Sequence, residues 1–332
     1  MTHARNQFLH VANGTSTTRT IEAAGIPGSR SIWADPLYEG PVPGDISDEA
    51  LVDVPAQYLG GSQPGREPDP VNDLREWRAV IARHDAYGEL VLWYEHDLFD
   101  QLNLAQLLTW IRPRLPASKP VTLICIGEFP GRPHFKGLGE LEVHELAPLL
   151  DSRQPVTTAQ YEVAERAWRA FGASTPEALD AFRRSETSAM PFMAAALTRF
   201  LQEYPWTRDG LSRTERSLLE LAQGEGISLL KAFPRMHQGE RMYYVGDLTL
   251  AGMADALART TPPLVTIDRS NRPTRRALDV HVALTDSGRS TLAAQTDRIA
   301  LAGLDRWLGG VHLRPGQPVW RWDDERQAMT VA

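Results

Sequence analysis

Short apolar runs alternate with amphipathic stretches along the first 126 residues of the chain. The apolar runs, at residues 8–12, 31–34, 89–95 and 120–126, are predicted strands. The clearest helix pattern follows the third run, where apolar positions repeat from Leu98 to Ile111 before Pro113 ends the pattern. Strands that alternate with helices are typical of a parallel sheet. We therefore predict an α/β ligand-binding domain with an open, mostly parallel sheet over residues 1–150.

The pattern becomes helical after residue 150, with predicted helices at residues 158–171, 176–184 and 188–203. Thr157 stands three residues before Gln160, and Ser174 stands three residues before Glu177, which is the spacing of a capping box. We predict a helical connector over residues 151–208.

The last third of the chain has its own order of elements. Ser212 and Glu215 have capping-box spacing, and short helices are predicted near residues 212–221, 227–233 and 248–258. Extended runs follow at residues 264–267 and 277–284, then a helix near 287–303 and a hairpin near 319–331. Three helices followed by a hairpin are the order of a winged helix-turn-helix. We predict a winged-helix-like domain with a terminal hairpin over residues 209–332.

Composition narrows the class of protein. The 332 residues are 42% hydrophobic and carry a net charge of −7, which is typical of a folded globular chain. The single cysteine, Cys125, excludes an internal disulfide and any multi-cysteine metal site. No apolar run reaches the roughly 18 residues of a membrane span, so we expect a cytoplasmic protein without a membrane partner. The oligomeric state is left open.

Polar residues gather where the first four predicted strands end. Ligands of open parallel sheets bind at this edge, because helix N-termini and connecting loops meet there. We therefore predict a pocket for a small polar or phosphorylated molecule. Its candidate ligand-binding residues are Asn13, Gly14, Ser16, Glu39, Gln101 and Glu128.

The first strand end could hold an anion. Gly14 permits a tight turn, and Asn13 and Ser16 offer polar groups beside a helix start. The lysine of a Walker loop and the further glycines of a dinucleotide fingerprint are missing. Ordinary helix capping by Ser16 or Asn13 is the alternative.

The third strand end carries the most reactive group of residues. His96, between Glu95 and Asp97, could act as a general base. It could also join Asp35 and Glu128 in a metal site, although no tight metal motif is present, so the cofactor stays unknown. Asp97 has a simpler alternative, because it stands where an acid would cap the following helix.

Two further groups lie in the last third. Arg306 could bind an anion and His312 could transfer protons around the flexible Gly309-Gly310 pair, or the block could be a helix C-cap followed by a buried strand. A basic turn could bind nucleic-acid phosphates as the wing, but the helix at residues 248–258 lacks side chains suited to base edges, so nucleic acid is weakly supported. Packing or protein contact is the alternative. The arginines of this turn are Arg269, Arg272, Arg275 and Arg276.

Four blocks of sequence, at residues 9–14, 33–43, 92–102 and 305–313, carry a family resemblance. The Trp33 to Pro43 block with its Glu-Gly-Pro-Val-Pro end, and the Glu95 to Leu102 block, are the most specific. The chain resembles an uncharacterised bacterial family, domain of unknown function 1835, over nearly its whole length. Members commonly have an aspartate where this chain has Thr15. The resemblance supplies no activity, but it implies that Arg306 and His312 complete the N-terminal pocket.

Two functions follow as hypotheses. The first is an enzyme, a hydrolase or transferase acting on a small phosphorylated or nucleotide-like molecule, with His96, Asp97, Asp35 and His312 as catalytic residues and Arg306 as an anion clamp. The second is a ligand-sensing regulator whose winged helix contacts DNA or a protein partner. A protein-interaction scaffold without a ligand is a third possibility.

Overall fold

The computed structural model describes residues 6–47, 50–54, 70–268 and 277–331 of the chain. It divides into two compact units, residues 1–197 and 198–332. Each unit is described by itself.

The first unit is built on a mixed sheet. Its strands are β1 (Asn6–Ala12), β2 (Ser29–Ile32), β4 (Tyr87–Glu95), β5 (Val121–Ile126) and β6 (Gln154–Pro155), and a two-residue strand, β3 (Gly40–Pro41), stands apart from them. The strand order is β2-β1-β4-β5-β6, in which the first four strands are parallel and β6 runs antiparallel to β5. The predicted open, mostly parallel sheet is confirmed.

Helices lie between these strands and after the last of them. They are α1 (Thr15–Ala23), α2 (Pro70–Ala82), α3 (Leu98–Ile111), α4 (Val143–Leu146), α5 (Thr158–Phe171), α6 (Glu177–Phe182) and α7 (Met193–Leu201), with 3-10 turns at His84–Ala86, Leu138–Glu140 and Ala147–Ser152. The capping box at Thr157 is confirmed, because Thr157 Oγ1 accepts the N–H of Gln160. The one at Ser174 is wrong: Pro176 is the N-cap of α6, and Glu177 accepts a hydrogen bond from Thr175 instead.

Strand β4 is buried on both faces. Val91 and Trp93 pack in one core with Ile21 of α1, and Leu90 and Leu92 are fully buried on the opposite face. Burial of each such side chain stabilises the fold by about 1.5–3 kcal/mol. An uninterrupted apolar strand is what helices on both faces of a parallel sheet require. None of the described helices has the length and apolar content needed to cross a membrane.

The order of the strands creates a crevice. From β1 the chain passes through α1 to β2 on one side, and β4 pairs with β1 on the other side. The connections after β1 and β4 therefore diverge, which opens a gap at the carboxyl ends of these two strands. This is the place where open α/β sheets bind ligands.

The second unit begins with helices and a small sheet. Its elements are α8 (Arg213–Leu221), β7 (Ile227–Ser228), α9 (Leu229–Met236), α10 (Asp247–Ala258), β8 (Val265–Asp268) and β9 (His281–Leu284). The three strands form an antiparallel sheet in the order β7-β9-β8. The predicted capping box of Ser212 with Glu215 is confirmed at the start of α8. Residues 227–228, expected to be helical, are a strand because they pair with β9.

The rest of the second unit differs from the sequence prediction before the terminal hairpin. The single helix expected over residues 287–303 is two helices, α11 (Asp286–Leu292) and α12 (Arg298–Ala302). The chain leaves α11 at Ala294 with a φ of 58°, and Asp297 caps α12 by accepting two backbone N–H groups. Two antiparallel pairs follow, β10 (Arg306–Gly309) with β11 (Val311–Leu313), and β12 (Trp320–Asp323) with β13 (Ala328–Val331).

Candidate functional site

A hydrogen bond from Asn13 spans the crevice between β1 and β4. Asn13, directly after β1, donates its side-chain amide to Asp100 Oδ2 at 3.1 Å. Asp100 lies in the first turn of α3, which follows β4. Asn13 Oδ1 accepts the hydroxyl of Thr17 at 2.8 Å, so both ends of the amide are fixed. The two strand ends are therefore joined through side chains as well as through the sheet.

Three carboxylates lie together on the β4 side of the crevice. Glu95, Asp97 and Asp100 are 7%, 7% and 1% exposed, and one oxygen from each lies within 4.8 Å of the others. Backbone N–H groups hold them: that of Glu95 donates to Asp100 Oδ1 at 2.8 Å, that of Asp100 donates to Asp97 Oδ1 at 2.9 Å, and that of Leu138 donates to Glu95 Oε2. Asp97 therefore caps α3, as the simpler interpretation of the sequence expects.

Burial changes the acidity of this cluster. Loss of hydration, then the nearby charge of Asp97, raises the pKa of Glu95 to about 8. Burial likewise raises the pKa of Asp97 to about 6 and that of Asp100 well above its usual range. Like charges this close in a dry environment do not ionise together, so the cluster keeps protons near neutral pH. A divalent cation, which prefers oxygen ligands, could replace those protons as the countercharge.

The N-terminus of α1 faces the other side of the crevice. Gly14 is its N-cap, and no described side chain caps the helix. Capping by Asn13 or Ser16 is thus not observed, because Asn13 is bonded to Asp100 and Ser16 is exposed within the first turn. The first-turn N–H groups lack an intrahelical partner, and together with the helix dipole they favour an anion.

A short segment covers the carboxylates. The 3-10 turn at Leu138–Glu140 contacts Glu95 through the N–H of Leu138, and a Cβ built on Gly137 would lie 2.0 Å from Glu95 Oε1. A Cβ on Gly139 would lie 3.3 Å from the Cβ of Ser16. The segment therefore lies against both the α1 N-terminus and Glu95, and it shields the carboxylates from water.

His96 has apolar surroundings. Its ring is 1% exposed, stacks on Phe135 with 6.2 Å between ring centroids, and meets Phe192 edge-on at 6.1 Å. Gly127 makes room for these rings, since a Cβ there would lie 2.7 Å from Phe192. The imidazole is thus packed within the wall of the site, and its predicted acid-base role would require a substrate to reach a buried ring.

The other predicted residues of the first unit have separate contacts. Asp35 is buried, and its backbone exchanges two hydrogen bonds with the Asn103 side chain at 2.7 and 2.9 Å. Gln101 donates to the Glu95 carbonyl at 2.7 Å and so fixes the end of β4. Glu39 is half-buried and Glu128 is exposed. Neither Asp35 nor Glu128 belongs to the three-carboxylate group.

Arg306 and His312 belong to the second unit. Arg306 donates to the Glu203 carbonyl at 3.3 Å and lies 3.7 Å from its carboxylate. His312 lies 2.7 Å from Asp305 Oδ1 and stacks on Trp307 with 4.3 Å between ring centroids. The helix C-cap alternative is wrong, because residues 306–309 form β10 and the turn is made at Gly309 with a φ of 59°. A role for these residues in the pocket of the first unit stays a prediction.

The basic turn lies outside the described residues. Its arginines are Arg269, Arg272, Arg275 and Arg276.

Glu95 and Asp100 are the site residues that sequence reasoning missed. The sequence could have indicated them, because acids at positions 95, 97 and 100 run from the end of a strand into the first turn of a helix. No protein-family model matches this chain, and no curated protein matches it. The family resemblance stays a prediction.

Proposed function

We propose that the first unit is a hydrolase or transferase for a small phosphorylated or nucleotide-like molecule. The observation that supports it is the bond from Asn13 to Asp100, which joins the two sides of a crevice carrying three buried carboxylates. Buried acids of altered pKa, placed where parallel strands diverge, are characteristic of active sites more than of structural positions.

In this proposal the α1 N-terminus binds the phosphate. The backbone N–H groups that follow Gly14 and the hydroxyl of the exposed Ser16 are the donors. The carboxylates would repel a bound phosphate if all were ionised, but the raised pKa values of Glu95 and Asp100 keep those two acids protonated near neutral pH. The site can therefore hold acids and an anion side by side.

Glu95 and Asp97 carry the proton transfers. With a pKa of about 8, Glu95 is protonated at neutral pH and can give its proton to a leaving oxygen. Asp97, with a pKa of about 6, is mostly ionised and can take a proton from the attacking water or hydroxyl. Two acids whose pKa values differ thus supply the proton donor and the proton acceptor of one displacement reaction. His96 packs the wall beside them.

The test combines turnover and binding. Purified protein is assayed for phosphate release from p-nitrophenyl phosphate and from nucleoside mono-, di- and triphosphates, and for stabilisation by each compound in thermal denaturation. We expect Glu95→Gln and Asp97→Asn to lower turnover by about 100-fold or more while the circular dichroism spectrum is kept. The control is Glu162→Gln, which removes an exposed carboxylate from α5. Wild-type turnover in both site variants, or neither turnover nor stabilisation with any compound, contradicts the proposal.

The second unit supports another candidate, the ligand-sensing regulator. In this candidate, the helix, strand, two helices and two strands from α8 to β9, with the sheet order β7-β9-β8, would form the winged helix. The exposed positions of α10 include Leu248, Gly252 and Ala256, which cannot read base edges, so contact with DNA would depend on phosphates and the basic turn. No shift of random duplex DNA at about 50 mM salt would contradict this candidate. The cytoplasmic location stays part of the proposal, since it is inferred from the sequence.

A further inference from the structure

The second unit contains a polar pocket remote in sequence from the carboxylate crevice. Its volume is about 190 Å³. The residues that carry its chemistry come from the end of α7, the face of α8, the end of α9 and the turn that follows. They are Arg199, Arg213, Ser217, Arg235 and Glu240.

A buried ion pair network forms the floor of this pocket. Arg199 is 5% exposed, and it donates to Glu203 Oε1 at 2.6 Å, to Glu240 Oε2 at 2.8 Å and to Thr214 Oγ1 at 3.0 Å. Gly239 has a φ of 79°, a left-handed conformation that lets the chain turn so that Glu240 reaches Arg199. Arg199 is thus neutralised by its two carboxylate partners, and its guanidinium has a fixed position.

Other side chains of the pocket have hydrogen-bond donors that are not in use. Arg213 donates to Gln202 Oε1 at 2.6 Å and lies 3.6 Å from Glu240. A guanidinium has five N–H groups, so further groups of Arg213 can donate to a ligand. In the part of the chain that the structure describes, the side chains of Arg235 and Ser217 have neither a hydrogen bond nor an ion pair. The carboxylates of Glu203 and Glu240 offset Arg199 and one further guanidinium group, so the three arginines and two acids keep a positive net charge.

We propose that this pocket binds a small tetrahedral oxyanion, either free phosphate or the phosphate group of a monoester. Arg213 and Arg235 donate charge-assisted hydrogen bonds from two helices, and the Ser217 hydroxyl donates from the face of α8 between them. Sites for drug-sized molecules have about 300–1,000 Å³, so the smaller volume of this pocket suits a phosphate with a small substituent. A bound anion would join α8 to α9.

The experiment measures the Kd of sodium phosphate for the full chain by isothermal titration calorimetry, with sodium chloride keeping the ionic strength equal. Glycerol 3-phosphate is titrated in a second arm. We expect Arg235→Gln and Ser217→Ala to weaken phosphate binding about tenfold or more and severalfold, respectively. Arg259→Gln, which removes one charge from an arginine with a 76% exposed side chain in the same unit, should leave the Kd unchanged.

Each outcome has a defined meaning. Binding that survives Glu95→Gln and is lost in Arg235→Gln places the anion in the second unit, independently of the function proposed for the first. Equal affinity for both anions supports recognition of the phosphate oxygens alone. Tighter binding of glycerol 3-phosphate assigns the phosphate group of a monoester, and tighter binding of sodium phosphate assigns the free ion. An unchanged Kd in Arg235→Gln, an equal loss in Arg259→Gln, or no binding of either anion by the wild type overturns the inference.

Discussion

Asn13 and Asp100 are 87 residues apart in the sequence, and a 3.1 Å hydrogen bond connects their side chains. The bond also orients the acid, because the second oxygen of Asp100 accepts the N–H of Glu95. We expect Asn13→Ala to lower the free energy of unfolding by about 1–3 kcal/mol, since a buried carboxyl group loses a donor. Urea denaturation measures the change. Thr18→Ala, at an exposed hydrogen bond in helix α1, should cost less than about 0.5 kcal/mol. An equally small loss in Asn13→Ala would show that its contact with Asp100 adds no stability.

The carboxylate cluster predicts a pH dependence of stability. The pKa of Glu95 is about 8 in the folded protein and 4.5 in an unfolded chain, so the folded state binds more protons between these values. The stabilisation is complete below pH 4.5 and is lost as the pH rises through about 8, with Asp97 contributing a loss through about 6.

Glu95→Gln tests this dependence, because the amide cannot ionise. From pH 5 to pH 9, at roughly one-unit steps, the variant should lose less unfolding free energy than the wild type. Glu162→Gln should follow the wild type. Parallel curves for Glu95→Gln and the wild type would exclude Glu95 as the titrating group.

A side chain at position 137 should clash with Glu95. A Cβ at this position would lie 2.0 Å from Glu95 Oε1, and the carboxylate cannot move without giving up the N–H of Leu138. We expect Gly137→Ala to cost about 1–3 kcal/mol in chemical denaturation. Gly14→Ala is the matched change, because nothing lies within 4 Å of a Cβ there. Similar stability of the two variants would mean that the covering segment shifts freely.

Removal of the Arg199 side chain should strongly destabilise the second unit. Arg199→Ala leaves the 3%-exposed Glu203 without its 2.6 Å partner, and breaking a buried ion pair costs about 3–5 kcal/mol. Arg326→Ala, at a side chain that is 79% exposed, should change stability by less than about 0.5 kcal/mol. Denaturation of both variants, followed by tryptophan fluorescence, makes the comparison. A loss below 1 kcal/mol at Arg199 would show that the remaining arginines replace it.

Long periodic segments made much of the fold predictable. Strand β4 and helix α3 could be predicted because each has a long apolar run. The polar residues at the strand ends predicted where the crevice lies. Strand β7 was not predictable, because two residues carry no periodicity and form a strand only through β9.

The chemistry of the site was only partly predictable. Burial, then the charge of Asp97, raises the pKa of Glu95, and the opposing hydrogen bond comes from Leu138, which is 43 residues away in sequence. His96 drew attention by its residue type, but Phe135 and Phe192, which surround it, come from distant segments. Sequence position indicated where polar groups meet, and tertiary packing determined which of them are acids of unusual strength.

The two-residue strand β6 has a consequence for self-association. It pairs with Thr122 and Leu123 on a side of β5 that would otherwise offer their backbone donors and acceptors, and one of its own residues, Pro155, has no N–H. A growing β-aggregate needs a long, regular template at the border of a sheet. This border presents a short strand that contains an imino acid, so we expect it to disfavour polymerisation by strand addition on the β5 side.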